Sequence, residues 1–307
     1  MPERIAQQID GVLVVDKPAG PTSHDVVAVV RRTLSVDRVG HTGTLDPLAT
    51  GVLPLVLGRA TRLAAFMSDA DKEYIARVRF GAATASYDAE GLETAAVNAP
   101  VPADPREIVA VLPRFSGTYL QQPPPYSAKK IGGTPAYRLA RRKAEVAIKP
   151  VEVSVHDVEL LGYADGAADV RIVCSSGFYV RSFAHDLGQA IGCGAYLETL
   201  RRTRAGAFTI GDAVALSCLI ETVEHARARV VPLERLLPDM PEAHLTEPGV
   251  RRASHGNTLT AGDFRLTGGS SAMAVGTRLR LIDPAGKLLG IGDVAAGGLL
   301  HPSVVLV

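Results

Sequence analysis

The sequence lacks the features that mark several large classes of protein. No stretch approaches the roughly 18 uninterrupted apolar residues of a membrane span, so we expect no membrane helix. Residues 1–11, MPERIAQQIDG, carry acids and no apolar segment, and we expect no secretory signal. The cysteines Cys174, Cys193 and Cys218 lie apart, and none belongs to a C-x-x-C pair. This pattern predicts a reduced, cytoplasmic protein without a disulfide framework or a zinc site.

Signatures of nucleotide-dependent and metal-dependent chemistry are missing as well. The chain has no G-x-x-x-x-G-K-[ST] phosphate loop, no G-x-S-x-G nucleophile elbow and no histidine pair at metal-ligand spacing. The segment GCGAYLE lacks the third glycine of the dinucleotide-binding fingerprint. We therefore expect a protein that works without a nucleotide, a metal or another cofactor.

Charge is balanced overall but unevenly distributed. The 33 Lys and Arg against 32 Asp and Glu give a net charge of +1, which by itself indicates no nucleic-acid partner. Residues 121–150, however, carry many basic side chains and a single acid, Glu145. The basic residues we expect to bind RNA there are Lys129, Lys130, Arg141, Arg142 and Lys143. A second cluster is Arg201, Arg202 and Arg204. Either cluster alone fits a solvated face equally well, but two together favour phosphate contacts.

Hydrophobic patterning predicts a mixture of strands and helices. Buried strands are expected at 11–15 and 52–58, and residues 74–80 alternate, with Tyr74 and Phe80 on one face. Helices are expected at 23–34, with Ser23 as its N-cap, at 103–115 and at 182–192. The order of these elements predicts an α+β fold.

The C-terminal part of the chain has a different pattern. The prolines of LLPDMPE, residues 236–242, predict a boundary. Short β patterns follow, at TRLRLID, KLLGIGDV and SVVLV, and predict a small all-β module. We therefore divide the chain into a domain at 1–238, with an excursion at about 121–150, and a second domain at 239–307.

One short loop is unusual. GHTGTLDPLATG, residues 40–51, holds three glycines, a proline and a single acid, Asp46. Pro47 favours an extended conformation at Asp46, while the glycines permit tight turns and close approach of another molecule. Alone, the loop favours an Asx-type turn in which Asp46 caps local amides. The alternative is a positioned carboxylate that acts as a nucleophile or base.

The loop and its extension, GHTGTLDPLATGVLPLVLG, resemble the signature loop of the TruB family, bacterial tRNA pseudouridine synthases that act on uridine 55 of the T-loop. Further segments resemble family motifs in the family's order: DKPAGPTSHDVV, DKEY, YSAKK with AYRLAR, GFYVRSFAHDLG and LRRTRAG. Together they span residues 11 to about 210. The resemblance implies the pseudouridine synthase fold, a mixed and mostly antiparallel sheet with the signature loop in a central cleft. The C-terminal module resembles a β-barrel-like PUA-type RNA-binding domain.

The resemblance also implies catalytic roles. Asp46 would be the catalytic aspartate, which attacks or deprotonates the ribose so that the N1–C1′ bond breaks. The freed uracil would then rejoin the sugar through C5. Tyr74 would stack on the flipped uracil and offer its hydroxyl for proton transfer. Arg181 would pair with Asp46 and keep it ionised and aimed.

Binding roles follow from the remaining matches. The implied substrate-binding residues are His41, which would help to lever out the target base, Tyr179 and Leu200, which would line the uracil pocket, and Lys17, which would support the loop. The excursion at 121–150 would clamp the tRNA at its T-stem-loop. We expect a monomer without a membrane, nucleotide or metal partner.

The sequence departs from the family pattern at two places, and two other functions stay open. Where the family often carries T-D-T-x-D, residues 84–88 read TASYD and keep only the last acid, Asp88. Phe178 stands where the family commonly has a threonine, which would alter the packing beside Tyr179. The first alternative is a non-catalytic RNA-binding or tRNA-folding protein on the same scaffold. The second is an N-glycosidase-like enzyme for small nucleosides, against which the basic excursion argues.

Overall fold

The structure is a computed structural model that describes residues 9–96, 100–126, 130–131, 134–135, 149–266 and 273–306. Most of the basic excursion lies outside these ranges. The residues Lys129, Arg141, Arg142 and Lys143 are not among those described, and Lys130 is described only as part of a two-residue strand. RNA binding by this segment therefore stays a prediction.

The helices are α1 (Ser23–Leu34), α2 (Ala64–Ser68), α3 (Pro105–Val111), α4 (Val180–Ile191), α5 (Leu216–Glu221), α6 (Val223–Ala228) and α7 (Glu247–Ser254). The strands are β1 (Gly11–Lys17), β2 (Val39–His41), β3 (Thr50–Leu57), β4 (Lys72–Phe80), β5 (Ala82–Thr84), β6 (Glu93–Ala96), β7 (Gly117–Gln121), β8 (Lys130–Ile131), β9 (Thr134–Pro135), β10 (Val151–Ala164), β11 (Ala167–Cys174), β12 (Ala195–Ala205), β13 (Phe208–Thr209), β14 (Val214–Ala215), β15 (Val231–Pro232), β16 (Glu242–Leu245), β17 (Phe264–Leu266), β18 (Arg278–Ile282), β19 (Leu288–Val294) and β20 (Leu300–Val305). Within the described ranges, none of these helices has the length and apolar character to cross a membrane.

A large mixed sheet organises the first part of the chain. Its strand order is β14-β1-β3-β12-β4-β11-β10-β7, and β2, β13 and β15 pair at its sides. The pairs β1–β14 and β3–β12 are parallel, whereas the remaining pairs are antiparallel. The prediction of an α+β fold with a mixed, mostly antiparallel sheet is confirmed.

Local patterns account for the elements that surround the site. Strand β4 alternates between buried and partly exposed residues along its whole length, as its sequence predicts, and buries Tyr74 with Phe80. Helix α1 spans the predicted residues, but its N-cap is Thr22, which forms a capping box with Asp25. The prediction of Ser23 as N-cap is wrong by one residue, because the Ser23 side chain is buried and makes a different contact.

The C-terminal strands form a second sheet in the order β17-β16-β18-β19-β20. The described strands leave it open, with β17 and β20 at its two ends. A shared apolar cluster joins it to the main sheet, with Val12 and Val14 of β1 on one side and Ile282, Ile291 and Leu306 on the other. The domain boundary at 238/239 and the PUA-type identity of this sheet stay predictions.

Candidate active site

The loop that carries Asp46 connects β2 to β3 and is fastened from inside the protein. The buried Ser23 hydroxyl accepts a hydrogen bond from the Leu45 amide at 2.9 Å and lies 3.1 Å from the Leu45 carbonyl, to which it donates. The Asp46 carbonyl closes a turn by accepting from the Ala49 amide at 3.0 Å. Within the described residues the Asp46 carboxylate caps no local amide, so the Asx-type interpretation is wrong. The Asp46 carboxylate therefore points away from the loop backbone.

Two buried cations hold the carbonyls of the same loop. The Lys17 ammonium is fully buried and donates to the carbonyls of Ala49, Pro18 and Pro47 at 2.7, 3.0 and 3.2 Å. These bonds use all three of its donors. Burial lowers the pKa of Lys17, and the nearby Asp46 carboxylate opposes that shift. Lys17 thus supports the loop but does not line the cavity below.

Arg202 holds the other end of the loop. Its Nε donates to the Val52 carbonyl at 2.7 Å, and its Nη2 donates to the Gly43 carbonyl at 3.0 Å. The side chain is 1% exposed, so the solvated-face interpretation is wrong for Arg202, whereas phosphate contacts by the cluster stay a prediction. The pattern RRTR does not show that Arg202 and Arg204 lie on opposite faces, because the pairing of β12 with β4 shifts by one residue between them.

Arg181 joins two carboxylates. Its Nε lies 2.9 Å from Asp46 Oδ2, and its Nη1 lies 3.5 Å from Asp88 Oδ2. The same Nη1 donates to the Ser86 carbonyl at 3.2 Å. Arg181 and Asp88 are nearly buried, whereas the Asp46 side chain is 36% exposed. The buried guanidinium therefore fixes the direction of the exposed Asp46 carboxylate. Asp88, the acid that residues 84–88 retain, contacts the same guanidinium through a different nitrogen.

A cavity of about 310 Å³ opens beside Asp46. The predicted residues that line it are Asp46, Tyr74, Tyr179, Arg181 and Leu200. They come from four separate segments of the chain, the loop, β4, β12 and the start of α4. The structure therefore brings together the five residues predicted to surround the target base. Their catalytic and binding roles stay predictions.

His41 lies outside this set. It ends β2, beside the cavity-lining Thr42, and its ring meets the His24 ring edge to face at 5.9 Å between centroids. Its Nδ1 is buried and has no hydrogen-bond partner among the described residues. Burial lowers the pKa of His41, and the neighbouring His24 and Arg202 add to the effect. In this structure His41 does not reach the cavity.

The two tyrosines of the cavity are held differently. Burial raises the pKa of Tyr74, with Arg202 opposing, so the hydroxyl stays protonated at neutral pH. Tyr179 is fixed through its main chain just before α4. Gln121 accepts from the Tyr179 amide at 2.8 Å and donates to the Tyr179 carbonyl at 3.0 Å. Gln121 is 1% exposed, and sequence reasoning missed it because no motif contains it.

The charged groups that line the cavity are mostly positive. Lys72, Arg181 and Arg202 face a single carboxylate, Asp46. Lys72 is buried, and its ammonium donates to the carbonyls of Ser68 and Ala70 at 2.5 Å each. Such a lining favours an anionic guest or a reaction in which negative charge develops. No group of three or more His, Cys, Asp or Glu side chains suited to a metal ion occurs in the part of the chain that is described.

Comparisons with known proteins place the chain in a family. The model of the TruB family pseudouridylate synthase N-terminal domain matches residues 31–180, and that of the tRNA pseudouridylate synthase B C-terminal domain matches 181–242. Curated relatives include proteins named tRNA pseudouridine synthase B from Solibacter usitatus and Dechloromonas aromatica. They are 43% and 41% identical to this chain, and the alignments cover 97% and 98% of it and 100% and 96% of the relatives.

Solved structures agree with this assignment. A chain from an H/ACA RNP bound to a substrate RNA containing 2′-deoxyuridine is 25% identical, with a TM-score of 0.75. A chain from the archaeal box H/ACA sRNP Nop10-Cbf5 complex is 26% identical, with a TM-score of 0.74. Both alignments cover 100% of this chain, and 88% and 89% of the other chains. The protein belongs to the TruB family of RNA pseudouridylate synthases.

Proposed function

We propose that this protein converts uridine 55 in the T-loop of tRNA to pseudouridine. The observation that carries the proposal is the Asp46 carboxylate, aimed by the buried Arg181 at the edge of a cavity that Tyr74 lines. The names of the curated relatives support tRNA as the substrate. We further propose that the enzyme works in the cytoplasm as a monomer, binds the T-stem-loop and needs no cofactor.

Base flipping is the first step of the proposed mechanism. The reacting atoms C1′ and C5 cannot be reached while the nucleotide is stacked, and extrusion costs a few kcal/mol. An aromatic partner returns about 1–3 kcal/mol per stacked base. Tyr74 and Tyr179 offer aromatic rings in the cavity, and Leu200 adds an apolar wall. The cavity is therefore suited to receive one flipped pyrimidine.

Asp46 acts at the ribose in the second step. It either attacks C1′ or removes a sugar proton, and the N1–C1′ bond breaks with its electron pair left on uracil N1. A delocalised uracil anion is stabilised by the positive lining, in which Lys72, Arg181 and Arg202 exceed the single carboxylate. Because the uracil leaves as an anion, one carboxylate suffices, whereas glycosidases generally need two.

Recapture completes the reaction. The uracil rotates and its C5 bonds to C1′ as the Asp46–C1′ ester bond breaks or, in the other route, as Asp46 returns the proton to the sugar. The C5 hydrogen is then lost as a proton while N1 gains one. The Tyr74 hydroxyl, which stays protonated and belongs to a cavity-lining residue, would take part in this proton transfer. The net change is an isomerisation, which releases the C5 hydrogen to solvent.

That exchange provides the test. A tRNA transcript tritiated at uracil C5 is incubated with the wild type, with Asp46→Ala and with Asp37→Asn, which removes the charge of an exposed acid outside the cavity. We expect tritium release from the wild type and from Asp37→Asn and none from Asp46→Ala. Asp46→Glu should lose most activity, since a misplacement of about 1 Å can cost about 100-fold.

The assay also separates the alternatives. Absence of tritium release from the wild type, with tRNA still bound, would favour the non-catalytic RNA-binding protein. Accumulation of free uracil would indicate a glycosidase. Neutralising Arg141, Arg142 and Lys143 together should weaken tRNA binding and flatten its salt dependence if the excursion clamps the RNA. An unchanged salt slope would assign those residues to a solvated surface.

A further inference from the structure

A second and larger cavity, of about 570 Å³, lies where the main sheet meets the C-terminal sheet. Its apolar lining is contributed by half-buried side chains: Phe66, Met67, Phe208, Leu237 and Met240. Helix α2, strand β13 and the segment before β16 supply them. Thr42, in the loop that carries Asp46, lines both this cavity and the one beside Asp46. The two cavities are therefore neighbours.

Arginines surround the apolar lining. The Arg278 guanidinium lies 5.0 Å from the centre of the Phe66 ring, within range of a cation–π contact. Arg204 makes one long hydrogen bond, 3.5 Å to the Gly206 carbonyl, and Arg235 is exposed. Within the described part of the chain, neither Arg204 nor Arg235 forms an ion pair. Both keep donors available for a phosphate.

Acids at the cavity only partly offset this charge. The acids that line it are Asp71, whose carboxylate lies 3.2 Å from His156 Nε2, and Asp239. Three arginines line the cavity against these two acids, and Arg278 is partly offset by Asp293, whose Oδ1 lies 3.8 Å from its Nε. Attraction of a phosphate therefore depends on Arg204 and Arg235, which form no ion pair among the described residues.

The irregularity in β12 directs its arginines to different cavities. Arg202 lies opposite Tyr74 of β4, whereas Arg204 lies opposite Glu73, because the register shifts between them. Tyr74 and Glu73 are neighbours on β4, so their side chains point to opposite faces of the sheet. The side chains of their partners, Arg202 and Arg204, therefore also point to opposite faces. The first arginine lines the cavity beside Asp46 and the second lines the larger one. One strand thus serves both.

We propose that the larger cavity binds an unpaired nucleotide of the substrate RNA, close in sequence to the target uridine. Its base stacks against Phe66 and Phe208, and its phosphate contacts Arg204 and Arg235. Aromatic rings beside basic side chains are the usual means of holding single-stranded nucleic acid, since every base has a π-face. This inference rests on the proposed function for the identity of the RNA.

Binding measurements test the proposal with variants that preserve packing. Phe66→Leu keeps an apolar side chain and removes the ring, and Arg235→Gln removes a charge. We expect Phe66→Leu to raise the Kd for unmodified tRNA about ten-fold, the loss typical of one stacked base. Arg235→Gln should raise the Kd and reduce the slope of log Kd against log salt by about 0.7–0.9. Arg114→Gln, at an exposed arginine outside both cavities, should change neither.

Cross-linking locates the nucleotide directly. Transcripts carrying 4-thiouridine at single T-loop positions are irradiated with the full-length protein, and the linked peptide is identified by mass spectrometry. We expect one position near the target to link to Phe66, Met67 or Phe208. Links confined to other segments, together with a wild-type Kd for Phe66→Leu, would overturn the proposal. Both measurements need only RNA binding, so they judge this cavity even if the wild type released no tritium and the proposed reaction failed.

Discussion

Arg202 offers the sharpest test of how the catalytic loop is held. Replacing it by methionine keeps an unbranched side chain, shortens it and removes the bonds to the Val52 and Gly43 carbonyls. Each is a hydrogen bond from a charged donor, worth about 1.5–3 kcal/mol. Methionine recovers part of this sum, because the cost of burying a cation disappears. We expect Arg202→Met to lower the free energy of unfolding by about 3 kcal/mol, less than the usual stability of a domain.

Activity should fall further than stability alone implies. Gly43 precedes Asp46 by three residues, and its carbonyl would lose the donor that fixes it. A displacement of the carboxylate by about 1 Å costs about 100-fold in rate. The single-turnover rate of tritium release, measured with saturating enzyme where the variant is fully folded, should therefore drop by at least about two orders of magnitude, because loss of the cavity-lining charge adds to the displacement.

Urea unfolding and the same tritium assay check both numbers. Arg204→Met is the matched control for stability, since Arg204 lies two residues along β12 and makes only one long hydrogen bond. It should change the free energy of unfolding by less than about 0.5 kcal/mol. The reasoning would be refuted if Arg202→Met lost less than about 1 kcal/mol and kept the wild-type single-turnover rate. In that case neither carbonyl contact would matter to the loop.

Three further predictions concern other parts of the site. Gln121→Ala removes the partner of the Tyr179 amide and one of two donors to the Tyr179 carbonyl, which also accepts from the Phe183 amide, so we expect a loss of about 2 kcal/mol in urea unfolding; an unchanged free energy of unfolding would show that Gln121 does not hold Tyr179. Tyr74→Phe keeps the ring and removes the hydroxyl, so the Kd for tRNA should stay near that of the wild type while the single-turnover rate falls; an unchanged rate would exclude proton transfer by this hydroxyl. Burial lowers the pKa of His41, so the unfolded state binds more protons below the ordinary histidine value of about 6.5, and stability should fall as the pH drops from 7 to 5. His41→Gln should show a smaller fall in Tm over that range, and an equal fall would assign the effect to other groups.

Periodic elements could be predicted from the sequence because a single physical cause sets them. The alternation of β4 and the apolar stripe of α1 each record which face meets the core, and the structure buries those faces. The strands after residue 275 were found in the same way, with β18 and β19 either side of the DPAG turn. The family resemblance also implies that Arg181 pairs with Asp46, and the two side chains lie 2.9 Å apart.

The polar residues that fasten the site could not be predicted, because their partners are distant in sequence. Ser23 contacts a residue 22 positions away, Gln121 one that is 58 away, and Arg202 one that is 159 away. A serine at a helix start is a good N-cap candidate, and an arginine in RRTR is a good surface candidate. Both side chains are buried because the fold places each of them beneath the loop that carries Asp46, and the local sequence does not show this.

These buried contacts have a consequence for catalysis. Ser23 and Gln121 each hold both the amide and the carbonyl of one site residue, while Lys17 and Arg202 hold loop carbonyls on either side of Asp46. Ordering a free backbone residue costs about 1–2 kcal/mol, and a mobile loop would take that cost from the energy of RNA binding. In this structure the loop is already ordered by folding, so RNA binding does not have to supply that free energy. In the proposed reaction, binding energy from the RNA is therefore available to extrude the uridine, a step that costs a few kcal/mol, rather than to assemble the groups that receive it.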